Sequence, residues 1–349
     1  MYYFHLSHNV KGDSQIKLSD GDSKCRLSKS AYHYITRTLY FSKHKSDIEE
    51  LEYCASYNMP IWSENNPEKF WYAADQYTSE TRRTSSHITI ALPKELDKNR
   101  RIELSERLMH EFCGQYKMPS TIAIHNHVAA LDGSSEQPHL HLLFSEKSML
   151  DNIQRSPEQF FKQYRQKNPE KGGALKITAD VLGFGRNILF HYRTQTEKII
   201  NEFLEKYAPT KIIEIHGMEI EVSSAVSCLS NEDYNKKHGT NLKDVPQIPR
   251  SLLYSTDPED QDKVAEYRKN IWQIRQNNLC ERYKNEYELA LAKKREQQNQ
   301  NRPQLDRSKN FDFSVDGYGT GGAKVYNGKK AQRFGGDRKS TRLNSSHGY

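Results

Sequence analysis

Three histidines in two neighbouring segments have the spacing of a metal site. His139 and His141 stand two residues apart in the segment PHLHLLF, and His125 ends the preceding segment IAIH. Alternate side chains of a β-strand point to the same face, which would place His139 and His141 ~7 Å apart on one face. A 13-residue connection allows the two strands to pair. The sequence therefore predicts that three imidazoles bind one metal ion and leave coordination positions open for a substrate oxygen or water.

Two tyrosines near the N-terminus are candidate nucleophiles. Tyr32 and Tyr34 lie in the segment SAYHYITR, which is predicted to be helical. A phenol close to a metal-bound phosphate can attack phosphorus and form a covalent protein–phosphate ester, although its pKa of ~10 requires a metal or a base to remove the proton. Residues two apart on a helix do not share a face. We therefore expect Tyr34, with Ala31, Ile35 and Thr38, to face a sheet, and Tyr32 to face solvent.

The elements that position these residues follow from hydrophobic periodicity and from capping signals, and they indicate a mixed α/β domain over residues 1–225. Strands are predicted over 2–8, 87–92, 121–125 and 139–144. Helices are predicted over 30–41, 67–77, 97–116, 157–164 and 186–207. A β-hairpin is predicted over 211–222, around Gly217.

The remainder of the chain is predicted to be less ordered. Residues 226–260 have a loop-like composition and are interpreted as a linker, and 261–299 form a charged helical segment. Residues 300–349 are rich in Gln, Asn, Gly and Lys and are predicted to be disordered. Within them, 337–347 (DRKSTRLNSSH) look like a translated sequencing adapter, so we expect the natural C-terminus to differ.

Composition excludes several classes of protein. Apolar residues make up 35% of the 349 residues, and no stretch approaches the ~18 consecutive apolar residues of a membrane span. The N-terminus lacks the pattern of a secretory signal. The five cysteines are scattered without a C-x-x-C pair, which is typical of a reducing cytosol. We therefore expect a cytoplasmic protein without a disulfide framework or a cysteine zinc cluster.

The positive charge lies in the C-terminal part of the chain. The net charge is +7, but residues 261–349 alone contain 19 Lys/Arg and 10 Asp/Glu, a net of +9, so residues 1–260 carry a net of −2. Nucleic-acid binding therefore has to be argued from a site rather than from the isoelectric point.

Seven segments in a fixed order identify a family. They are YYFHLS, SAYHYITR, WYAADQY, IALP, AIH, PHLHLLFSE and NPEKGGALK, and they extend from about residue 2 to about residue 207. In this order they resemble the MobA/MobL-type plasmid mobilisation relaxases, which belong to the HUH endonucleases, named for histidine-hydrophobic-histidine. The resemblance implies an α+β fold with a central antiparallel sheet and helices packed around it. Here, a helical and disordered C-terminal tail would follow.

The resemblance also implies the chemistry. His125, His139 and His141 would be the metal ligands and Tyr34 the nucleophile, with Tyr32 as the second candidate. The reaction would nick one DNA strand at an origin of transfer, join the 5′ end to the tyrosine and later rejoin the strand. An acidic residue is expected where His87 and Thr89 stand, so His87 is a possible proton acceptor.

Cofactor and partners are implied in the same way. The resemblance implies Mg or Mn, whereas a site of imidazoles alone favours Zn or another transition metal. The partners would be plasmid DNA, accessory mobilisation proteins and a type IV secretion coupling protein, and the protein could enter a recipient cell covalently bound to DNA.

A single-stranded substrate requires cations and aromatic side chains along its path. Candidate phosphate contacts are Arg82, Arg83, Arg155, Lys162, Arg165 and Lys171. Trp71 and Tyr77 are candidates for stacking on bases. Gly172 and Gly173 would make a tight turn or allow close approach of DNA to the backbone.

Two other functions remain open at this point. A rolling-circle replication initiator would use the same chemistry on a different origin. A non-catalytic DNA- or RNA-binding protein would keep the histidines for structure and bind through the basic tail over 261–336. A hydrolase of small phosphates is less favoured, because no acidic second metal site is visible in the sequence.

Overall fold

A five-stranded antiparallel sheet forms the centre of the protein. The strands of this computed structural model are β1 (Phe4–Val10), β2 (Glu49–Tyr57), β3 (Arg83–Ala91), β4 (Ser120–His127) and β5 (His139–Phe144). Their order across the sheet is β1-β3-β5-β4-β2. Every neighbouring pair is antiparallel. With helices on both faces, this sheet confirms the predicted fold class.

The structure describes residues 2–11, 27–39, 41–44, 49–79, 81–127 and 136–300. The predictions for 301–349, including the disordered tail and the segment 337–347, lie outside these residues. Residues Met1–Gln297 form one compact unit.

Helices cover both faces of the sheet. The helices before the end of β5 are α1 (Ser28–Thr36), α2 (Phe41–His44), α3 (Pro67–Tyr77) and α4 (Lys98–Phe112). Those after it are α5 (Pro157–Phe161), α6 (Ile188–Tyr207), α7 (Asn231–His238), α8 (Arg250–Leu253), α9 (Pro258–Arg282) and α10 (Lys284–Gln300). Two short strands, β6 (Lys147–Ser148) and β7 (Leu175–Lys176), pair beside α5.

The alternation of β5 divides the core into two layers. Leu140, Leu142 and Phe144 pack into a cluster with α4 and α6, whereas Leu143 packs into a second cluster with α1, α3 and α5. His139 and His141 share the face of Leu143, because strand residues two apart point the same way. The histidines therefore lie on the side of the sheet that α1 covers.

Strand β2 at the edge of the sheet was not predicted. Its pairing with β4 shifts register between Leu51 and Tyr53, so Glu52 stands in a bulge. The buried Glu52 carboxylate accepts from Arg101 of α4 at 2.6 Å and from the Asn126 amide at 2.8 Å. The three Glu residues in the segment EELEYCASY hide the alternation of apolar and polar residues by which a strand is predicted. One of them, Glu52, forms an ion pair with Arg101 of α4.

The C-terminal part of the described chain partly differs from prediction. The hairpin predicted over 211–222 is present as β8 (Thr210–Ile215) and β9 (Met218–Ser223), with Gly217 at φ 73° in the turn. It packs against Tyr283, between α9 and α10. These two helices agree with the helical prediction for 261–299. Residues 226–260 are not simply loop, because they contain α7 and α8. No helix in the described part of the chain has the length and apolar character needed to cross a bilayer.

Candidate metal and nucleophile site

The three predicted histidines meet at one end of β4 and β5. His125 is opposite His139 in the strand register, and His141 lies opposite Ala123. The ring centroids of His125 and His141 are 4.6 Å apart, and those of His139 and His141 are 4.8 Å apart. One nitrogen from each of the three rings lies within 4.8 Å of the others. The strand alternation thus brings together the imidazoles that the sequence singles out.

Hydrogen bonds to backbone carbonyls orient two of these rings. His125 Nε2 lies 2.7 Å from the Ile35 carbonyl oxygen, and His139 Nδ1 lies 3.1 Å from that of Gln137. Since a carbonyl only accepts, each of these nitrogens donates, and the other nitrogen of each neutral ring keeps its lone pair. Carbonyl second partners of this kind are typical of metal-binding histidines.

The third ring, His141, is oriented by another histidine. Its Nδ1 lies 3.0 Å from His87 Nε2, and its Nε2 is buried without a hydrogen-bond partner among the described residues. If His141 Nδ1 donates to His87, the buried Nε2 carries a lone pair. Buried polar atoms are rarely left without a partner. This orphaned nitrogen is the observation that fits a divalent ion held by the three rings.

Burial favours the neutral form of His87 and His141. Burial and the charges of neighbouring imidazoles lower the pKa of His87 to about 4 and hold the pKa of His141 well below its ordinary value. Neutral imidazole is the form that coordinates metals. Three nitrogen donors without a carboxylate favour Zn and other first-row transition metals over Mg.

Helix α1 places Tyr34 against the histidines. The Tyr34 ring centroid lies 5.7 Å from that of His141 and 6.1 Å from that of His125. Tyr32 lies elsewhere on the helix, as expected from its spacing, but it does not face solvent. It is half-buried in the layer of α1 and α3, where burial raises its pKa. Of the two candidate phenols, Tyr34 is the one beside the imidazoles.

The start of α1 is fixed by Asp75 of α3. The two carboxylate oxygens of Asp75 accept the backbone N–H groups of Ser28 and Lys29, both at 2.8 Å. This satisfies two of the N–H groups that a helix start leaves open. The Asp of the segment WYAADQY thereby anchors the helix that carries Tyr34.

Arg37, the last residue of the segment SAYHYITR, was not predicted to be a site residue, yet it lies inside the site. Its Nη2 is 3.0 Å from His125 Nδ1, and its guanidinium carbon lies 4.8 Å from the Tyr34 ring centroid. Residues three apart are neighbours on a helix, so the Tyr-Ile-x-Arg spacing was the available signal.

The structure places His87 beside His141. Its Nε2 lies 3.0 Å from His141 Nδ1, so His87 helps to orient a predicted metal ligand. The expected role of His87 as a proton acceptor stays a prediction.

A cavity of about 480 Å³ opens beside His139. It runs between the end of β3 and the β8–β9 hairpin, and Tyr3, Pro138, Lys211 and Ile213 contribute to its walls. Its lining combines apolar side chains with two lysines and two glutamates. Tyr3 is half exposed. The cavity is large enough for a nucleotide.

The predicted DNA-contacting cations lie at the other end of the sheet. Arg83 begins β3, which reaches the histidines further along, with Thr89 opposite His141 and Ala91 opposite His139. The carbonyl of Lys162 accepts from Lys147, just beyond the end of β5. Exposed members of the predicted set are Arg82, Arg83, Lys162, Arg165 and Lys171.

Two members of the predicted DNA surface are corrected. The Arg155 side chain is fully buried and donates to Asp151 and to the carbonyls of Gly172 and Pro169, so it holds a loop together. Trp71 is also fully buried and donates to Thr121. Tyr77 is partly exposed, at 38%, so it remains available for stacking.

Gly172 and Gly173 serve close packing of the chain on itself. A Cβ at Gly172 would lie 2.5 Å from the Arg165 backbone nitrogen, and one at Gly173 would lie 1.9 Å from the Lys162 carbonyl oxygen. Both distances are prohibitive, so the two glycines are explained by internal packing. Neither a positive φ nor a close approach of DNA is needed to explain why these two positions are glycine.

The chain belongs to the MobA/MobL family, whose family model matches residues 26–221. The "43 kDa relaxation protein" of Salmonella typhimurium is 39% identical over 176 residues, which cover 50% of this chain and 46% of the relative. "Mobilization protein A" of Escherichia coli is 36% identical over 137 residues, which cover 39% of this chain and 18% of the relative. The chain thus matches less than half the length of either curated relative.

Similarity to solved structures is weaker. A structure described as "Molecular Basis of Vancomycin Resistance Transfer in Staphylococcus aureus" aligns with 60% of this chain and 94% of its own, at 18% identity and a TM-score of 0.39. The conjugative relaxase TrwC in complex with OriT DNA aligns with 78% of this chain and 99% of its own, at 10% identity and a TM-score of 0.32.

Proposed function

We propose that this protein is a relaxase that nicks one strand of plasmid DNA at an origin of transfer and rejoins it, with Tyr34 as the nucleophile. The observation that carries the proposal is the phenol of Tyr34 packed against His125 and His141, two of three converging imidazoles. Membership of the MobA/MobL family and relatives named for relaxation and mobilisation support it.

The proposed reaction is a transesterification. The phenolic oxygen of Tyr34 forms a bond to the scissile phosphorus, and the bond from phosphorus to the 3′-oxygen breaks. The 3′-oxygen leaves with the electron pair and takes up a proton, while the phenolic proton passes to solvent. One phosphodiester replaces another as a 5′-phosphotyrosine, so the reverse reaction can rejoin the strand without ATP.

His125, His139 and His141 would hold a divalent ion through one nitrogen each. Mg or Mn follows from the family resemblance, and Zn or another transition metal follows from the three nitrogen donors. When bound, such an ion polarises a non-bridging phosphate oxygen and stabilises charge in the transition state. His87 keeps His141 in place through the bond to Nδ1.

The DNA would cross the molecule from the cationic end to the histidines. Arg82, Arg83, Lys162, Arg165 and Lys171 are exposed and are proposed to contact phosphates. The cavity beside His139 would receive a base close to the nick, with Tyr3 as a stacking partner. We propose accessory mobilisation proteins and a type IV secretion coupling protein as further partners, and the cytoplasm as the location.

The test is an incubation with supercoiled plasmid that carries its own transfer origin, with Mn²⁺ or Mg²⁺. Denaturing electrophoresis should show a protein–DNA adduct for the wild type and for Tyr32→Phe, and none for Tyr34→Phe. We expect the loss in Tyr34→Phe to exceed about 1,000-fold, since removal of a nucleophile leaves only the contribution of binding.

Two outcomes would contradict this proposal. An adduct that persists in Tyr34→Phe would show that another group attacks phosphorus. Nicking by the wild type without any adduct would indicate hydrolysis by water in place of transesterification.

A further inference from the structure

We propose that Arg37 is a further catalytic residue, whose guanidinium binds the scissile phosphate between the nucleophile and the histidine site. This inference rests on the proposed function of Tyr34. It assigns to the reaction a cation that the sequence pattern alone did not place in the site.

The backbone at Arg37 has an unusual conformation. Helix α1 ends there, with Arg37 at φ 54° and ψ 42° and its N–H bonded to the His33 carbonyl. A left-handed conformation is uncommon for residues other than glycine, and such residues cluster at active sites. The conformation ends the helix directly beside the catalytic site, three residues after Tyr34.

The guanidinium joins the nucleophile to the first histidine. Arg37 Nη1 donates to the Tyr34 carbonyl at 3.2 Å, and Nη2 donates to His125 Nδ1 at 3.0 Å. The guanidinium carbon also lies 4.8 Å from the centroid of the Tyr34 ring. A phosphate that approaches the phenol must therefore come within reach of this cation.

The chemistry of the guanidinium favours a phosphate over its present acceptor. Arginine presents planar donors that match two oxygens of a phosphate, and bonds to charged acceptors are roughly twice as strong as those between neutral groups. His125 offers one neutral nitrogen. When a phosphodiester is bound, we expect Arg37 to donate to its non-bridging oxygens, where negative charge increases during attack.

The contact with His125 also makes a prediction about the metal. Because His125 Nε2 donates to the Ile35 carbonyl, Nδ1 is the nitrogen left for an ion, and it is the nitrogen that Arg37 contacts. Arg37 and the ion therefore compete for one lone pair. Removal of the guanidinium should leave metal affinity unchanged or raise it, whereas loss of a metal ligand should lower it.

The experiment compares Arg37→Gln, Arg37→Lys and Arg37→Gly with the wild type. The rate of adduct formation is measured on supercoiled plasmid carrying its own transfer origin, and Mn²⁺ affinity is measured by calorimetry. We expect Arg37→Gln to slow adduct formation about 100-fold or more at saturating DNA. Arg37→Lys should recover part of the rate, and Mn²⁺ should bind at least as tightly as to the wild type.

Arg37→Gly separates chemistry from folding. Glycine tolerates the left-handed backbone, and loss of the side chain leaves space for a free cation. Added guanidinium ion at millimolar concentration should restore part of the rate of this variant and should not accelerate Arg107→Gln. Arg107 is the control because it lies on α4, exposed and paired with Glu111.

A rate for Arg37→Gln within threefold of the wild type would overturn the proposal for Arg37. So would a fall in Mn²⁺ affinity large enough to account for the slower rate. If the wild type itself forms no adduct under any ion, the proposed function fails instead, so the two failures can be told apart.

Discussion

The two ends of the central strands gather different kinds of polar groups. At one end, His139 and His141 of β5 meet His125, and one nitrogen from each of the three rings lies within 4.8 Å of the others. At the other end, Glu146 binds the fixed cations Arg83 at 3.1 Å and Lys176 at 3.0 Å. From His141, β5 continues for three residues to its end at Phe144, a distance of about 10 Å. The sheet thus carries the histidine cluster at one end and a group of ion-paired side chains at the other.

The difference shows where a ligand can still bind. At the cationic end many donors already have partners within the protein, as Lys147 does with the carbonyls of Lys162 and Ala174. At the histidine end, His141 Nε2 is buried and no described residue bonds it. Groups whose hydrogen bonds are made within the protein stabilise the fold, whereas a buried nitrogen without such a bond, beside two further imidazoles, is where a ligand can bind.

The largest expected effect concerns the ion pair behind the histidine end. Arg101 and Glu52 are both at least nine-tenths buried and lie 2.6 Å apart. Arg101→Ala would leave the carboxylate buried without its cation, which costs about 3–5 kcal/mol in the free energy of unfolding. Urea denaturation of the wild type and the variant measures this loss in the free energy of unfolding. The control is Arg107→Ala, which removes an exposed pair and should cost less than about 1 kcal/mol. Equal losses in the two variants would contradict the difference in burial.

The second prediction compares one histidine from each end. His87→Ala removes the nearer of the two partners of His141 Nδ1 and leaves Thr89 Oγ1 at 3.4 Å, and it should weaken Mn²⁺ or Zn²⁺ binding by about 10-fold in calorimetry. His8→Ala is the matched control, because His8 bonds Ser86 at the cationic end. His87→Gln keeps an acceptor and should restore part of the affinity. An unchanged affinity in His87→Ala would show that His141 does not need this partner.

The third prediction concerns the exposed cations. Arg165→Gln and Lys171→Gln should each weaken binding of single-stranded DNA by a few-fold and reduce the slope of log affinity against log salt by about 0.7. Fluorescence anisotropy at several salt concentrations measures both quantities. Lys236→Gln, on α7 and paired with Glu232, is the control. Slopes that match the wild type would exclude these residues from the DNA path.

Local patterns were sufficient to predict part of the site. The alternation of PHLHLLF determined which face His139 and His141 share, and helical spacing separated Tyr34 from Tyr32. Both inferences use only neighbouring residues, so no knowledge of the rest of the fold was needed.

Partners across the fold could not be predicted in this way. The bond between His87 and His141 depends on the register of β3 against β5. Arg155 was predicted to contact phosphate, but its side chain is buried and donates to the carbonyls of Gly172 and Pro169. Such contacts join segments that are distant in sequence. The residues that flank a charged side chain therefore do not show whether it will be buried against such a partner.

The smallest expected effect concerns titration at the cationic end. Burial, and then the charges of Lys176, Arg82 and Arg155, lower the pKa of Lys147 to about 8. Between pH 8 and the ordinary lysine pKa the unfolded chain binds more protons than the folded one, so stability rises with pH. From pH 8 to pH 9 the gain is about 1 kcal/mol, and Lys147→Gln should lack it. Urea denaturation of both proteins at several pH values measures the difference. Parallel pH profiles would show that the Lys147 ammonium pays no penalty for burial, and the contrast between the two ends would then rest on the histidines alone.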